Sequence, residues 1–379
     1  MSPESNHRPI RVGFVVHLMQ VAGAEVLVRE TIRRLENRIT PTIFCLDAVG
    51  RMGDELIADG VDLVCLKRTP GLNFGVSRRM AQAARERNID VIHAHQYTPF
   101  FYSAFAKLLM LPMPKLILTE HGRHYPDIVS PMRRAFNRIV MDRIADAVNA
   151  CCEFSARDLG RVDGFRGNRI EVIENGIEVD QYGPAKDMAA QKSKMKLDPK
   201  KRYISHVARH HPVKDQSTLI KAYAIAAKRF PDVDLLLVGD GELRQQLEDL
   251  AASLGLRDRV HFVGIQKNVP EWLRASEIFA MTSVTEAASL TLMEAMATGL
   301  PSVVSHVGGN GELVRHEQEG LHFARADVAG CAAAFCKLLG DVELAQKLGN
   351  AARTRALERY RLENTINAYY HLYRKLTGI

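Results

Sequence analysis

The chain has 379 residues, 46% apolar and 25% charged, and Lys plus Arg exceed Asp plus Glu by 51 − 44 = 7. That length suits two or three domains, and the composition excludes a disordered chain. The positive balance suits an anionic ligand, an acidic membrane surface or nucleic acid. However, 7% aromatics with a single Trp offer no stacking platform, and the dispersed basic residues form no nucleic-acid recognition motif.

Residues 1–9 carry no apolar stretch after a basic segment, so no secretory leader is read there. No uninterrupted apolar run approaches the ~18 residues of a membrane span. Short β-branched runs then alternate with helical patterns. Strands are expected at 10–16, 42–46, 63–66, 91–93, 116–119, 145–148 and 170–173, with a helix at 24–35 after the first. Each run is continuous and apolar, as in a parallel sheet covered on both faces. The pattern weakens in the Lys-rich stretch from Gly183 to Arg202, which reads as a linker with at most one short helix. It restarts with strands at 203–207, 235–238, 260–263, 278–281 and 302–304. The tail from Leu357 reads as a helix with Ile366, Tyr369, Tyr370 and Tyr373 on one apolar-aromatic stripe. The expected organisation is a doubly wound domain over 8–183, a linker over 184–202, a second doubly wound domain over 203–358 and a terminal helix over 359–379. The six cysteines form no Cys-x-x-Cys pair and lie in apolar or helical surroundings, even the vicinal Cys151 and Cys152. They read as reduced thiols of a cytoplasmic protein.

Open α/β sheets bind ligands beyond the carboxyl ends of their strands, so the loops there carry the candidates. Gly23 ends the first such loop, where a Gly lets a ligand approach the backbone. His93 and His95 share one side of a strand, which suits a metal pair, but no third ligand has diagnostic spacing. His121, beside Gly122 at another strand end, can hydrogen-bond a sugar hydroxyl or a developing charge. In the second half, Arg209 and Lys214 flank a helix start with Asp215 as candidate N-cap; such cations suit a diphosphate or make a solvated basic loop. Gly239-Asp240-Gly241 lacks the full dinucleotide fingerprint and the P-loop Lys. Asp232 and Asp234 precede a buried strand and are not read as a metal motif. Glu286 and Glu294 stand eight apart, the first in a loop and the second inside a helix capped by Ser289 and ended by Gly299. Backbone amides of Ala288, Ser289 and Leu290 would face an anion, and a carboxylate suits a ribose diol. The bland alternative is a pair of solvated helix-end glutamates.

With those residues in view, the chain resembles retaining glycosyltransferases of the GT-B fold, glycosyltransferase family 4. The likeness covers nearly the whole chain and is strongest from Val207 to Gly309. Glu286 and Glu294 match the family's glutamate pair, the second opening the run EAMATGLP. Arg209 and Lys214 match its diphosphate-binding cations, Ala22-Gly23 its glycine loop with one Gly in place of two, and His121 its strand-end His. Asn175-Gly176-Ile177-Glu178 matches its Asn-Gly-Val-Asp turn, with Glu for Asp. Gly308-Gly309-Asn310-Gly311-Glu312-Leu313 matches its Gly-Gly helix start. Ala287 departs from the usual Gly after the first glutamate and adds a Cβ beside the sugar.

The resemblance implies an α/β chain of two Rossmann-like domains facing a central cleft, with the terminal helix crossing back to the first domain. It implies transfer of a sugar, with retained configuration, from a nucleotide-diphosphate sugar, most often a UDP-sugar, to a glycan or lipid-linked acceptor. The catalytic residues would be His121, Glu286, Arg209 and Lys214. Substrate would be bound by Gly23, Asn175, Gly264, Ala288, Ser289, Leu290 and Glu294. No metal and no cofactor are expected, because Arg209, Lys214 and helix amides neutralise the departing diphosphate. The acceptor domain carries Arg123, Arg133, Arg134, Arg138 and Arg143 between apolar residues, which suits peripheral contact with an anionic membrane. A non-catalytic nucleotide-sugar-binding protein of this fold and a sugar-nucleotide 2-epimerase are the alternatives; the intact Glu286 and Glu294 segment argues against both.

Overall fold

The computed structural model describes residues 8–20, 23–122 and 129–379. The chain divides into two compact units: one runs to Asn175 and regains Glu363–Ile379, and the other is Gly176–Leu362. The first holds strands β1 (Ile10–Val16), β2 (Ile39–Cys45), β3 (Asp62–Cys65), β4 (Val91–His95), β5 (Lys115–Glu120), β6 (Ala147–Ala150) and β7 (Ile170–Val172). They pair in the order β3-β2-β1-β4-β5-β6-β7, all parallel. The second holds β8 (Arg202–Val207), β9 (Val233–Val238), β10 (Val260–Gly264), β11 (Ile278–Met281), β12 (Ser302–Ser305) and β13 (Gly320–Phe323). Its order is β10-β9-β8-β11-β12-β13, again parallel.

The continuous apolar runs have a direct cause. In β9 every residue is buried. Val233, Leu235 and Leu237 enter one core with Tyr223 and Phe335, whereas Leu236 and Val238 enter another with Phe279 and Met296. Successive side chains of a strand point to opposite faces, so a sheet sandwiched by helices takes apolar residues on both faces, and the one buried charge in β9, Asp234, is paired with cations. Strand β13, GLHF, is missing from the sequence reading because a four-residue run interrupted by His322 carries no such signal.

Two expectations about domain boundaries are corrected. The division falls at 175/176 and 362/363 rather than at 183 and 358, and 184–202 is no linker. It contains the helix Met188–Lys194, capped by Asp187. Lys192 of that helix is buried, donating to the Lys201 carbonyl at 2.8 Å and to Glu277 at 2.5 Å. Lys194 pairs with Glu271 at 2.8 Å. The lysines that suggest a solvated linker are matched by carboxylates some eighty residues away. At the true crossing, Ile177 N–H donates to the Tyr360 carbonyl and Leu362 N–H to the Ile177 carbonyl, at 2.8 and 2.9 Å. A Cβ on Gly176 would lie 2.6 Å from the Arg361 carbonyl oxygen, so that turn requires glycine.

The C-terminal helix Leu362–Thr377 belongs to the first unit and buries Tyr369 and Tyr373 completely. His93 lies beneath it, one ring nitrogen 2.7 Å from the Tyr373 hydroxyl and the other 2.7 Å from that of Thr119. Both nitrogens are thereby committed, and the metal-pair idea for His93 and His95 is set aside. Burial pushes His93 down to about 3 and, in the second unit, His206 down to about 4. Both lie below the ordinary 6.5, so the unfolded chain takes up protons first as pH falls. Their stabilisation is complete above pH 6.5 and is lost as pH drops through these lower values. Urea midpoints should therefore fall between pH 7 and pH 4. His93→Phe should cost about 1–3 kcal/mol at pH 7 by orphaning two hydroxyls, and should flatten that pH dependence.

Candidate functional site

The strand orders reverse between β1 and β4 in the first unit and between β8 and β11 in the second. At such a reversal the following helices depart to opposite faces and leave a crevice at the carboxyl ends of the strands. In the second unit Ile204 and Ser205 pair with Ile278 and Phe279. That register carries Lys214 and Glu286, 72 residues apart, into contact: Lys214 Nζ donates to Glu286 Oε1 at 2.5 Å. Ser283 Oγ donates to the same oxygen at 2.6 Å. Val284 N–H donates to the Val213 carbonyl at 2.8 Å, and the Thr282 hydroxyl bridges the carbonyls of Lys214 and Asp215. Asp215 (φ +46°) caps the helix Gln216–Arg229 through Thr218.

The Glu286 backbone is held equally firmly. Its carbonyl accepts from Gly309 N–H at 3.0 Å. Gly308 (φ +53°) passes so close that a Cβ would meet that carbonyl oxygen at 1.8 Å. Ala287 has no positive φ, so its extra methyl brings no backbone strain. The helix Leu290–Thr298 begins three residues on, its first turn capped by Ser289 Oγ accepting from Leu292 N–H and its end closed by Gly299 at φ +91°. Among the described residues nothing accepts from the amides of Ala288 or Ser289, and the first-turn amide of Leu290 has no acceptor inside the helix. These amides and Lys214 concentrate positive potential beside Glu286.

Arg209 is exposed, and its side chain meets no partner among the described residues; its carbonyl accepts from Gln216 at 3.0 Å. Gly239 (φ +132°) and Gly241 support this loop, because a Cβ on either would strike the carbonyl of Ala208 or His210. Gly264, at φ +71°, ends β10 and accepts from Gly239 N–H at 2.9 Å. Asp234 is engaged by Lys201, Arg259 and His261 and Asp232 by Arg202, which explains that acidic pair structurally.

Glu294 lies on the helix Leu290–Thr298 and takes a hydrogen bond from the Tyr182 hydroxyl. Burial pushes its carboxyl up to about 7, and the Tyr182 bond partly offsets that. Tyr182 and Ser283 are the parts of this loop cluster that sequence reasoning missed. Ser283 carried a signal, a hydroxyl just beyond a strand. Tyr182, 112 positions from Glu294, carried none.

The first unit gathers a separate set. His95 Nδ1 lies 2.8 Å from His121 Nε2, with the rings 12° from coplanar. Burial pushes His121 down to about 4, so it is neutral at pH 7. Gly122 (φ +117°) follows, its N–H donating to Glu120 at 3.1 Å. Gly23 is exposed at the start of the helix Gly23–Arg34. Asn175 is buried, with no described partner for Oδ1. Ala22 and Arg123 lie outside the described residues.

Comparisons with known proteins place the chain in a family. The family model described as Glycosyltransferase Family 4 matches residues 21–181, and that of Glycosyl transferases group 1 matches 187–355. The chain is 29% identical to the N-acetyl-alpha-D-glucosaminyl L-malate synthase of Bacillus anthracis, over 80% of this chain and 79% of that protein. It is 25% identical to the UDP-Gal:alpha-D-GlcNAc-diphosphoundecaprenol alpha-1,3-galactosyltransferase of Escherichia coli, over 89% and 90% of the two chains. Among solved structures it matches Anabaena Alr3699/HepE in complex with UDP at a TM-score of 0.85, 23% identity and 98% and 100% coverage. Two Rossmann-like units of parallel sheet with these neighbours define a GT-B glycosyltransferase, an enzyme that takes its sugar from a nucleotide sugar in polysaccharide or glycoconjugate biosynthesis. Within that class the chain belongs to the family 4, group 1 glycosyltransferases.

The raised Glu294 carboxyl makes a stability prediction. Its folded value of about 7 exceeds the ordinary 4.5, so the folded chain holds the extra proton between the two and stability falls as pH rises across that window. Without added nucleotide, Glu294→Gln should raise Tm at pH 8 by roughly 2–4 °C and leave it nearly unchanged at pH 5, as read by calorimetry.

Proposed function

We propose that the chain is a metal-independent, retaining glycosyltransferase that uses a UDP-sugar and a lipid-linked or glycan acceptor. The contact of Lys214 with Glu286, beside helix-start amides at the strand ends, carries this reading. In it, Lys214 and Arg209 hold the donor diphosphate, helped by the amides of Ala288, Ser289 and Leu290. Glu294 takes the ribose diol, and the backbone at Gly264 borders the base. These groups stabilise the leaving diphosphate where its charge develops, which is the task a metal would otherwise perform. UDP is the nucleotide named for the HepE complex and in the Escherichia coli relative, and it is the donor nucleotide inferred for this chain.

Glu286 is given a positioning and charge-stabilising role. Its Oε1 already accepts from an ammonium and a hydroxyl, which weakens it as a nucleophile. The acceptor hydroxyl then attacks from the face the diphosphate leaves, through an oxocarbenium-like state. The bond from the anomeric carbon to the diphosphate oxygen breaks, the hydroxyl proton passes to that departing oxygen, and the anomeric configuration is kept. His121 binds a donor hydroxyl near the anomeric carbon. Gly23 and Asn175 complete the substrate contacts.

A screen of UDP-, GDP- and ADP-sugars by calorimetry should show selective binding of the UDP-sugar, unchanged by EDTA. Glu294→Ala should weaken binding by about 1–3 kcal/mol, the cost of an unpaired diol. Lys214→Ala should abolish transfer. An inverted anomer in the product, or loss of activity in EDTA, would count against the mechanism.

A lipid-linked acceptor is favoured by the first unit's surface. An open groove of about 600 Å³ is lined by Tyr97, Phe101, Tyr102, Met132 and Phe136, with Arg68 and Arg133 at its edge. Nearby Leu72, Met132 and Ile139 are 76%, 83% and 58% exposed, and Arg134, Arg138 and Arg143 are exposed too. No helix among the described residues is long and apolar enough to cross a membrane, so contact would be peripheral. The protein should sediment with anionic vesicles at low salt, and Met132→Ser with Ile139→Ser should reduce the bound fraction several-fold. Failure of the wild type to sediment rules the membrane contact out.

A further inference from the structure

On the reading that the first unit takes a lipid-linked acceptor, we infer that this acceptor is a lipid phosphate. Arg68 anchors the phosphate at the edge of the apolar groove, and Asp47 is the positioning residue that holds Arg68 there. The groove has walls of Tyr97, Phe101, Tyr102 and Phe136 and two cations, Arg68 and Arg133. The two differ in what balances them. Arg133 lies 3.1 Å from the buried carboxylate of Asp163, so its charge is matched in place.

Arg68 belongs to an unbalanced cluster in the loop after β3. Lys67 precedes it, exposed and at φ +49°, a conformation that gathers at ligand sites. Arg79 is drawn to the same turn and donates from Nε and Nη2 to the Leu66 carbonyl at 3.0 and 2.7 Å. Among the described residues no carboxylate pairs with Lys67 or Arg79. Three cations therefore stand against one carboxylate, that of Asp47. A phosphate supplies the missing negative charge, and it belongs at Arg68 and not at Arg133 for that reason.

The direction of Arg68 is fixed from behind. Main-chain bonds stitch the loops after β1, β2 and β3: Asp47 N–H donates to the His17 carbonyl at 2.9 Å, and Arg68 N–H donates to the Leu46 carbonyl at 2.7 Å. Asp47 then accepts from Arg68 Nε at 2.7 Å and from Nη2 at 3.2 Å. His17 Nδ1 lies 2.9 Å from the same carboxylate and steadies it. This grip takes the Nε edge of the guanidinium and leaves Nη1 out of it. The other neighbour of the guanidinium is the Tyr102 hydroxyl, on the groove wall. A planar fork held along one edge presents its remaining N–H groups in a set direction, which suits phosphate oxygens. The helix Tyr97–Leu108 also starts on this groove. Gln96 gives it no side-chain cap, and among the described residues the amides of Tyr97 and Thr98 have no acceptor, so their partial charge adds to that of Arg68. Leu72 and Met132, already noted as exposed, continue the apolar surface for the lipid chain.

The test uses the full chain with farnesyl phosphate and farnesol, an anionic and a neutral lipid with the same chain, and reads affinity by calorimetry. The wild type should bind both, farnesyl phosphate roughly 10-fold or more tighter, as a charge-assisted hydrogen bond gives. Arg68→Gln should bring farnesyl phosphate to the affinity of farnesol and leave farnesol unchanged. Asp47→Asn, which keeps Arg68 but loosens the grip, should weaken farnesyl phosphate alone by a few-fold. Lys67→Gln, at an exposed position, should do the same and keeps the test decisive where thermal melting shows Arg68→Gln to be misfolded. Equal affinity of the wild type for the two lipids overturns the phosphate anchor while the groove stands as a lipid site. Binding of neither lipid overturns the anchor together with the lipid-linked reading. Farnesyl phosphate held by folded Arg68→Gln as tightly as by the wild type also overturns the anchor. If that variant loses only its sedimentation with phosphatidylglycerol vesicles, the cations serve bilayer headgroups and not the acceptor.

Discussion

The reversal of strand order at β8 and β11 is the constraint from which the chemistry of the second unit follows. Parallel strands end at the same edge, and at the reversal no crossover covers that edge. The loops after β8 and β11 therefore meet over open sheet, and main-chain bonds such as Val284 to Val213 lock them before any side chain is considered. Lys214 and Glu286 inherit their contact from that lock. Gly308 and Gly309, from the loop after β12, then close on the Glu286 carbonyl at a distance only glycine allows. Three consecutive strands of the sheet thus define the position of one carboxylate, on rigid elements rather than on a free loop.

The first unit solves a different problem. His93, His95 and Thr119 lie at the carboxyl ends of β4 and β5, where burial forbids charge. Imidazoles there must be neutral and must share hydrogen bonds in a directed chain. The helix Leu362–Thr377 completes that chain, because its Tyr373 supplies the hydroxyl at His93 Nδ1. Residues 280 positions apart in sequence are consequently one polar layer in space. The same packing gives the aromatic stripe its purpose: Tyr369 and Tyr373 are wholly buried, while Tyr370 lies at the edge under the Arg38 guanidinium.

Local signals made most of this legible. Among the described residues, continuous apolar runs marked twelve of the thirteen strands, since burial on both faces favours that pattern. Asp215, Ser289 and Gly299 were readable as caps because orphan backbone groups at helix ends demand those residue types. Charge composition misled where charges are neutralised at long range, as for Lys192 with Glu277. The vicinal Cys151 and Cys152 are both buried thiols outside any disulfide, as their apolar setting suggested.

By itself the sequence determined the α/β alternation, the family, and the residue types at each strand end, because those depend on periodicity and on neighbours a few positions away. Only the tertiary structure decided partnership. Strand order brought Lys214 to Glu286 and His95 to His121, packing placed Tyr182 on Glu294, and the return of the last helix set Tyr373 on His93. The physical reason is that hydrogen-bond geometry and desolvation act over a few ångströms of space, and that distance is set by which strands pair and not by separation along the chain.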